Sequence, residues 1–512
     1  MDQKRHDRYF VALVIMGAAY VLGWTYFIWY RYVTFQEGFY DLGIALYSFY
    51  LHAFYSASIP GLQNLVFTNH ISLFSFLILP IFRIFPSQLT LVGLQNISIA
   101  LAALLVYLSC RKITKNGFAS FAFAFALLFN FGLIGLNFSD FHLEGFIPLL
   151  LALAFYLYIT NRKYAFVASY VLLLGLMETA PFVGLAFLLG LSFFEIRYNK
   201  KRSVLYTPNS MKLLALCFAL TFLFIAFYHA VAYDLVNSYG SGQYANVQPT
   251  TRLVNIISQQ TSAIKIFFET PTTSAFVFVM GILCAFLLFI SFGFTSLVDP
   301  ILTIIMMSPW LGEVFIAGNW VFLYPIYQYY AYGAMGVLVA AILGVAIMMR
   351  SKRPSYSPYR KRRELSHVGL VVITVSIVIY ASTCASTLVL LPNYLTHTFE
   401  PKPGNYTSIL STLRSVPANA SVMAQSSIYP HLYYVKNLEL YPNSEYYVFS
   451  PRTGFVYLNY SLYWFKPDYI VVDANLSDFS GMNNVNFNVY SYMGDNYTLV
   501  NSTKGLQIYK LK

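Results

Sequence analysis

Apolar runs of 13–24 residues alternate with short polar stretches over residues 9–391. The runs fall at 9–29, 89–110, 118–136, 146–159, 164–176, 182–194, 213–231, 275–291, 301–316, 333–349 and 368–391. A helix that crosses a bilayer needs roughly 20 such residues. The pattern predicts a polytopic α-helical membrane protein with about eleven transmembrane helices. The run at 71–85 is short and interrupted by Pro80 and Arg83, and it reads as a juxtamembrane or re-entrant helix. It belongs to an outer juxtamembrane stretch, 31–88, that is amphipathic over 31–69, and a second polar outer loop covers 234–272. After residue 391 the pattern changes to Asn, Ser, Tyr and Gly with short apolar clusters. Segments 421–423, 438–440 and 469–472 predict strands and 407–415 a helix, so 392–512 reads as an α/β domain.

Composition agrees with the pattern. Hydrophobic residues make up 58% of the chain and charged residues 10%, which excludes an ordinary soluble fold. The formal net charge of +12 does not point to nucleic acid, because the cations sit in clusters between apolar runs. Lys4, Arg5 and Arg8, then Arg111, Lys112 and Lys115, then Arg162 and Lys163, then Arg197, Lys200, Lys201 and Arg202, then 350–363 all fall on one side if 71–85 does not cross. The positive-inside rule makes that side cytoplasmic. The N-terminus is then inside, the first run is a signal anchor, and 392–512 lies outside the plasma membrane. Six Asn-x-Ser/Thr sequons, at Asn405, Asn419, Asn459, Asn475, Asn496 and Asn501, agree with an outer, glycosylated domain. The four cysteines lie in or beside apolar runs and read as small hydrophobes.

Against so few charges, Asn137-Phe-Ser-Asp140-Phe-His142-Leu-Glu144-Gly145 stands out. A carboxylate at the hydrocarbon boundary is costly unless paired, hydrated or metal-bound. Asp41, His70, Glu178 and Glu313 fall at the same predicted outer depth. Asp140, His142 and Glu144 suit a divalent cation such as Mg²⁺ or Mn²⁺, or general-base work on a hydroxyl. Each also has a bland reading: Asp41 and Asp140 as helix caps, and His70, Glu178 and Glu313 as interfacial groups facing water. The tyrosine-rich segment 324–332 reads as an interfacial aromatic belt or as a carbohydrate-stacking surface.

Tyr40-Asp41-Leu42-Gly43, Asn69-His70-Ile71-Ser72, the helix of Gln95, Asp140-Phe141-His142-Leu143-Glu144 and Tyr324-Pro325-Ile326-Tyr327-Gln328-Tyr329 follow in this order. Together they resemble an archaeal and bacterial family of predicted membrane proteins, domain-of-unknown-function family 2079. That family's pattern has Gln where Tyr47 stands, Pro where Leu73 stands, and Lys-Glu-Asp where Met177-Glu178-Thr179 stands. Its layout is similar to that of GT-C glycosyltransferases. The resemblance implies Asp41 as the first-loop acid, and Asp140 with Glu144 as the second-loop acids.

Two classes of function follow. The first is a transferase that moves a sugar from a polyprenyl-phosphate carrier, held in membrane lipid, to an acceptor at the outer face. Asp41, Asp140 and Glu144 are then catalytic, with Asp140, His142 and Glu144 also the metal set. The substrate-binding set is His70, Arg83, Glu178, Arg252, Lys265, Tyr327 and Gln328. The second is a non-enzymatic protein, either a transporter or a scaffold presenting 392–512. Transporters often carry internal repeats and broken helices at the bilayer midplane. The sequence shows no such repeat, and its acids sit at span ends.

Overall fold

The computed structural model describes residues 7–199 except 60, 69 and 139, then 210–239, 271–316, 329–350, 374, 375, 377, 378, 380, 406–440, 447–450, 454–457, 466–473, 496–503 and 505–512. Six described helical stretches are long and apolar enough to cross a membrane: Arg8–Val33, Gln88–Thr114, Gly117–Phe138, Ala180–Tyr198, Met211–Leu235 and Tyr330–Met349. Shorter apolar helices occupy Ser75–Ile84, Leu143–Ile159, Lys163–Leu174, Phe278–Ser291 and Pro300–Phe315. Of the run at 368–391, the described residues 374, 375, 377, 378 and 380 are helical.

The helix ends gather at two opposite ends of one bundle. At the first, Asp7 caps α1 (Arg8–Val33) by accepting from the Tyr9 amide at 3.2 Å. The same carboxylate meets the Tyr107 hydroxyl and lies 3.6 Å from Arg111 Nε, both near the end of α4 (Gln88–Thr114). Asp299 repeats the arrangement. It accepts from the Leu302 amide at 3.2 Å, and it meets the Tyr198 hydroxyl and, at 3.6 Å, Arg197 Nε. A helix start is thereby locked to a helix end twice, each time by an Asp cap, a Tyr and an Arg. The cations Arg111, Arg162, Lys163 and Arg197 lie at helix ends or starts.

Three sequence-based boundaries shift. The expected helix 118–136 is two helices, Gly117–Leu128 and Phe131–Phe138. Asn130 causes the break: its Oδ1 accepts from the Gly132 amide at 3.0 Å, and its carbonyl accepts from Leu133 and Ile134. A new helix therefore starts from an Asn cap in the middle of the run. The expected loop at 234 starts later, because the helix Ser210–Tyr239 continues past it and packs Val231, Ala232 and Leu235 against Ile71. The helix expected from 333 begins at Tyr330, whose ring lies 5.5 Å from Trp310 and 4.7 Å from Phe131.

The juxtamembrane reading of 71–85 meets a two-strand hairpin, β1 (Val66–Phe67) and β2 (His70–Ile71), followed by the helix Ser75–Ile84. At about 1.5 Å per residue that helix is too short to cross a bilayer. The C-terminal sheet runs β4 (Asn437–Leu440), β3 (Ser421–Ala424), β7 (Tyr469–Asp473), β9 (Leu506–Leu511), β8 (Tyr497–Thr503). β3 is parallel to both β4 and β7, and β9 is antiparallel to β7 and β8. Its core is shared with Phe35, Ile44 and Tyr47 from the segment that follows α1.

Candidate functional site

The site forms where α1 ends, at the opposite end from the Asp–Tyr–Arg locks. Arg31, in the last turn of α1, is 4% exposed. Its guanidinium lies over the rings of Phe27 and Phe138, at 5.7 and 5.4 Å. Nη1 donates to the Phe138 carbonyl at 2.9 Å and to Asp140 Oδ1 at 3.0 Å, and Nε lies 3.0 Å from Glu37 Oε1. One buried cation thus holds two acids from separate loops, the fork geometry for which arginine is suited. Burial pushes Glu37 well above the ordinary carboxyl range; Arg31 pulls against this and the Asp140 carboxylate adds to it.

The loop between Phe138 and Glu144 is held from behind by α4. Gln95 Nε2 donates to the Asp140 carbonyl at 2.8 Å, and Gln95 Oε1 accepts from the His142 amide at 2.7 Å. Ser98 donates to the Gly145 carbonyl at 3.1 Å. A side chain at Gly145 would sit 2.5 Å from Gln95 Cγ, so the close approach requires glycine. Asp140 is left-handed at φ 71° and turns to Arg31, whereas His142 is extended. His142 Nε2 reaches Asp41 Oδ2 at 3.5 Å. Burial pulls the imidazole down, but Asp41, Glu144 and Asp140 outweigh it and bring it up to about 9.

Asp41 lies in the turn Phe39–Gly43, also left-handed, at φ 64°. It caps no helix: α2 (Ile44–Phe54) begins after Gly43 without a side-chain cap. Its side chain is 42% exposed, against 10% for Asp140, 5% for Glu178 and 0% for Glu37. Glu144, 1% exposed, accepts from the Tyr332 hydroxyl at 3.5 Å through Oε1; its Oε2 is buried with no hydrogen-bond partner among the described residues. Tyr332 also meets Thr179 Oγ1 at 3.2 Å. Next to Thr179, Glu178 is doubly satisfied: it pairs with His70 Nδ1 at 2.7 Å and accepts from the Ile71 amide at 3.1 Å. Burial lowers His70, but the Glu178 carboxylate more than reverses it.

Asp41, His70, Asp140, His142, Glu144 and Glu178 are therefore neighbours in one ionisable network. Three arrangements differ from the sequence reading. Asp140, His142 and Glu144 do not close as one ligand set, since Asp140 is committed to Arg31 and His142 to Asp41; among the described residues no group of three His, Cys, Asp or Glu is arranged to hold a metal ion. Asp140 is an ion-pair partner and not the cap of the following helix. Glu178 ties the β1–β2 hairpin to the bundle. Arg83 is exposed on the helix Ser75–Ile84, and Arg252, Lys265, Tyr327 and Gln328 lie outside the described residues. Glu313 lies in the turn Gly312–Ile316. Sequence reasoning missed Arg31 and Glu37 as members of the network. The available signal was a cation at the end of the first apolar run, on the side where cations are otherwise scarce.

The sequence profile of a family described as a predicted membrane protein, domain-of-unknown-function family 2079, matches residues 31–501. No curated protein matches the chain.

Proposed function

The chain belongs to that family of predicted membrane proteins, and from this premise we propose that it is a lipid-linked glycosyltransferase acting at the end of the bundle that carries the acid network. The observation that carries the reading is the pairing of His142 with one partly open carboxylate, Asp41, beside the buried pairs Arg31–Asp140 and His70–Glu178 and the buried Glu144. Burial lowers His70 and His142 here and carboxylate neighbours more than reverse it, and a cluster of such groups is a candidate reaction site.

In this reading the donor is a sugar on a polyprenyl phosphate whose tail lies in the bilayer. The network faces the extracellular side, and the charge clusters at 111–115, 162–163 and 197–202 support that orientation. Asp41 accepts the proton of the acceptor hydroxyl. The acceptor oxygen then forms a bond to the anomeric carbon as the carbon–oxygen bond to phosphate breaks, and the polyprenyl phosphate leaves with the electron pair. His142 holds Asp41 in place, and Arg31 with Gln95 fixes the loop that carries His142. The charge of the departing phosphate falls to cations on the same side, of which Arg83 is exposed. Mg²⁺ or Mn²⁺ would suit the charge of such a phosphate.

The test is Asp41→Asn at unchanged protein level. Cells should lose a surface glycan or glycolipid and accumulate a polyprenyl-linked sugar. Unchanged glycans and carrier lipids in a folded Asp41→Asn protein would refute the reading and favour the scaffold alternative.

A further inference from the structure

Asp41 is one of the described non-glycine residues with positive φ, and such a backbone costs about 1–3 kcal/mol unless its surroundings fix it. Its turn follows Glu37, which lies beside Arg31. It packs against the C-terminal sheet through the short helix Tyr429–Leu432 that follows β3. A Cβ on Gly43 would lie 3.2 Å from Tyr429 Cδ1 and 3.4 Å from Pro430 Cγ, besides 2.8 Å from the Gly38 carbonyl oxygen. Leu42 is fully buried.

One turn further along α2, Tyr47 makes the same junction with hydrogen bonds. Its hydroxyl donates to the Lys436 carbonyl at 2.9 Å and accepts from the Leu438 amide at 3.0 Å, at the start of β4. The Tyr47 ring packs edge-on to Tyr429, with centroids 5.9 Å apart. Tyr32, at the end of α1, donates to the Pro430 carbonyl at 3.4 Å. Three successive pieces of the first outer stretch, before, within and after the Asp41 turn, are thus fastened to one strand–turn–strand unit of the C-terminal sheet.

We propose that Tyr47 and the Tyr429–Leu432 segment are positioning elements for Asp41, so that the C-terminal sheet is a built part of the site. The sheet is not a passenger displayed by the bundle. The inference rests on the transferase reading only for what Asp41 does; the geometry it describes can be tested separately.

The experiment compares the full-length protein in nanodiscs with its Tyr47→Phe variant by hydrogen–deuterium exchange. Loss of both hydroxyl bonds should speed exchange about ten-fold over residues 36–46 and 434–440, with 117–138 unchanged. In cells, Tyr47→Phe should reproduce the glycolipid change of Asp41→Asn at wild-type protein levels, a change that simple tethering would not produce. Faster exchange confined to 434–440 would overturn the proposal, because Tyr47 would then hold the strand without holding the turn. Wild-type exchange over 36–46 would overturn it as well. If Tyr47→Phe does not fold, Tyr32→Phe is read in the same way, since it removes the 3.4 Å bond to the Pro430 carbonyl and leaves residues 36–46 unaltered. If Asp41→Asn itself leaves glycolipids unchanged, the transferase reading fails, and the exchange over 36–46 alone decides the positioning role.

Discussion

Replacing His431 with Phe should remove an acid sensitivity from the seating of the C-terminal sheet. His431 is 6% exposed, with its ring 4.2 Å from Tyr32 and 4.1 Å from Phe35. Burial pushes the imidazole down to about 3. The folded pKa lies below the ordinary value of about 6.5. The neutral ring is therefore at home in the folded protein, and no stability is lost above pH 6.5 or so. As pH falls from there towards 3, the unfolded or undocked chain takes up a proton that the docked one refuses, and stability drains away. At pH 5 the deficit is about 1.5 units, or roughly 2 kcal/mol. Phe keeps the stacked ring and cannot titrate. Native-state proteolysis with papain at pH 7 and pH 5 reads the open population directly. Between the two pH values, cleavage within 406–440 should rise about 30-fold more in the wild type than in His431→Phe. Equal acid responses in the two proteins would refute the reasoning, because the other histidines are common to both.

Three further outcomes are expected. Arg31→Gln should cost about 3–5 kcal/mol in thermal or denaturant unfolding, because it strands buried Glu37 and Asp140, and Arg31→Lys should recover little of it; a loss under 1 kcal/mol would contradict the shared-cation geometry. Gln95→Ala leaves the Asp140 carbonyl and the His142 amide unsatisfied, which should cost about 2–3 kcal/mol and loosen exchange over 138–146. The raised His142 imidazole should contribute stability that is complete below about pH 6.5 and is lost as pH rises through about 9, and Asp41→Asn should flatten that slope; an unchanged slope in unfolding curves from pH 6.5 to 9 would contradict the pairing.

The bundle was legible because lipid forces each crossing to be a long apolar helix, and the runs at 9–29, 89–110 and 213–231 have no other use. The parallel strands at 421–424, 437–440 and 469–473 were legible from short apolar clusters. The break at Asn130 was not, because hydropathy does not register one side chain that offers its own amide neighbours a better acceptor. In the site, Asp41, Asp140, His142 and Glu144 stood out as charges in an apolar chain. What they bond to did not, since two left-handed residues and one extended residue send successive side chains to different partners. Arg31, at a helix end, carries no local sign that Glu37 and Asp140 surround it. The junction of Tyr47 with residues 436–438 spans about 390 positions, and no local pattern announces it.

That separation has a consequence for biogenesis. Tyr47 and its partner carbonyl are 389 positions apart. At about 5–20 residues per second the ribosome needs about 20–80 s to travel that distance. Throughout that interval the segment after α1 is already made while its latch does not yet exist. A chain stalled or cleaved before residue 438 could insert and fold most of its helices while leaving its exposed acid unaligned. Completion of synthesis would then act as the last step of assembly.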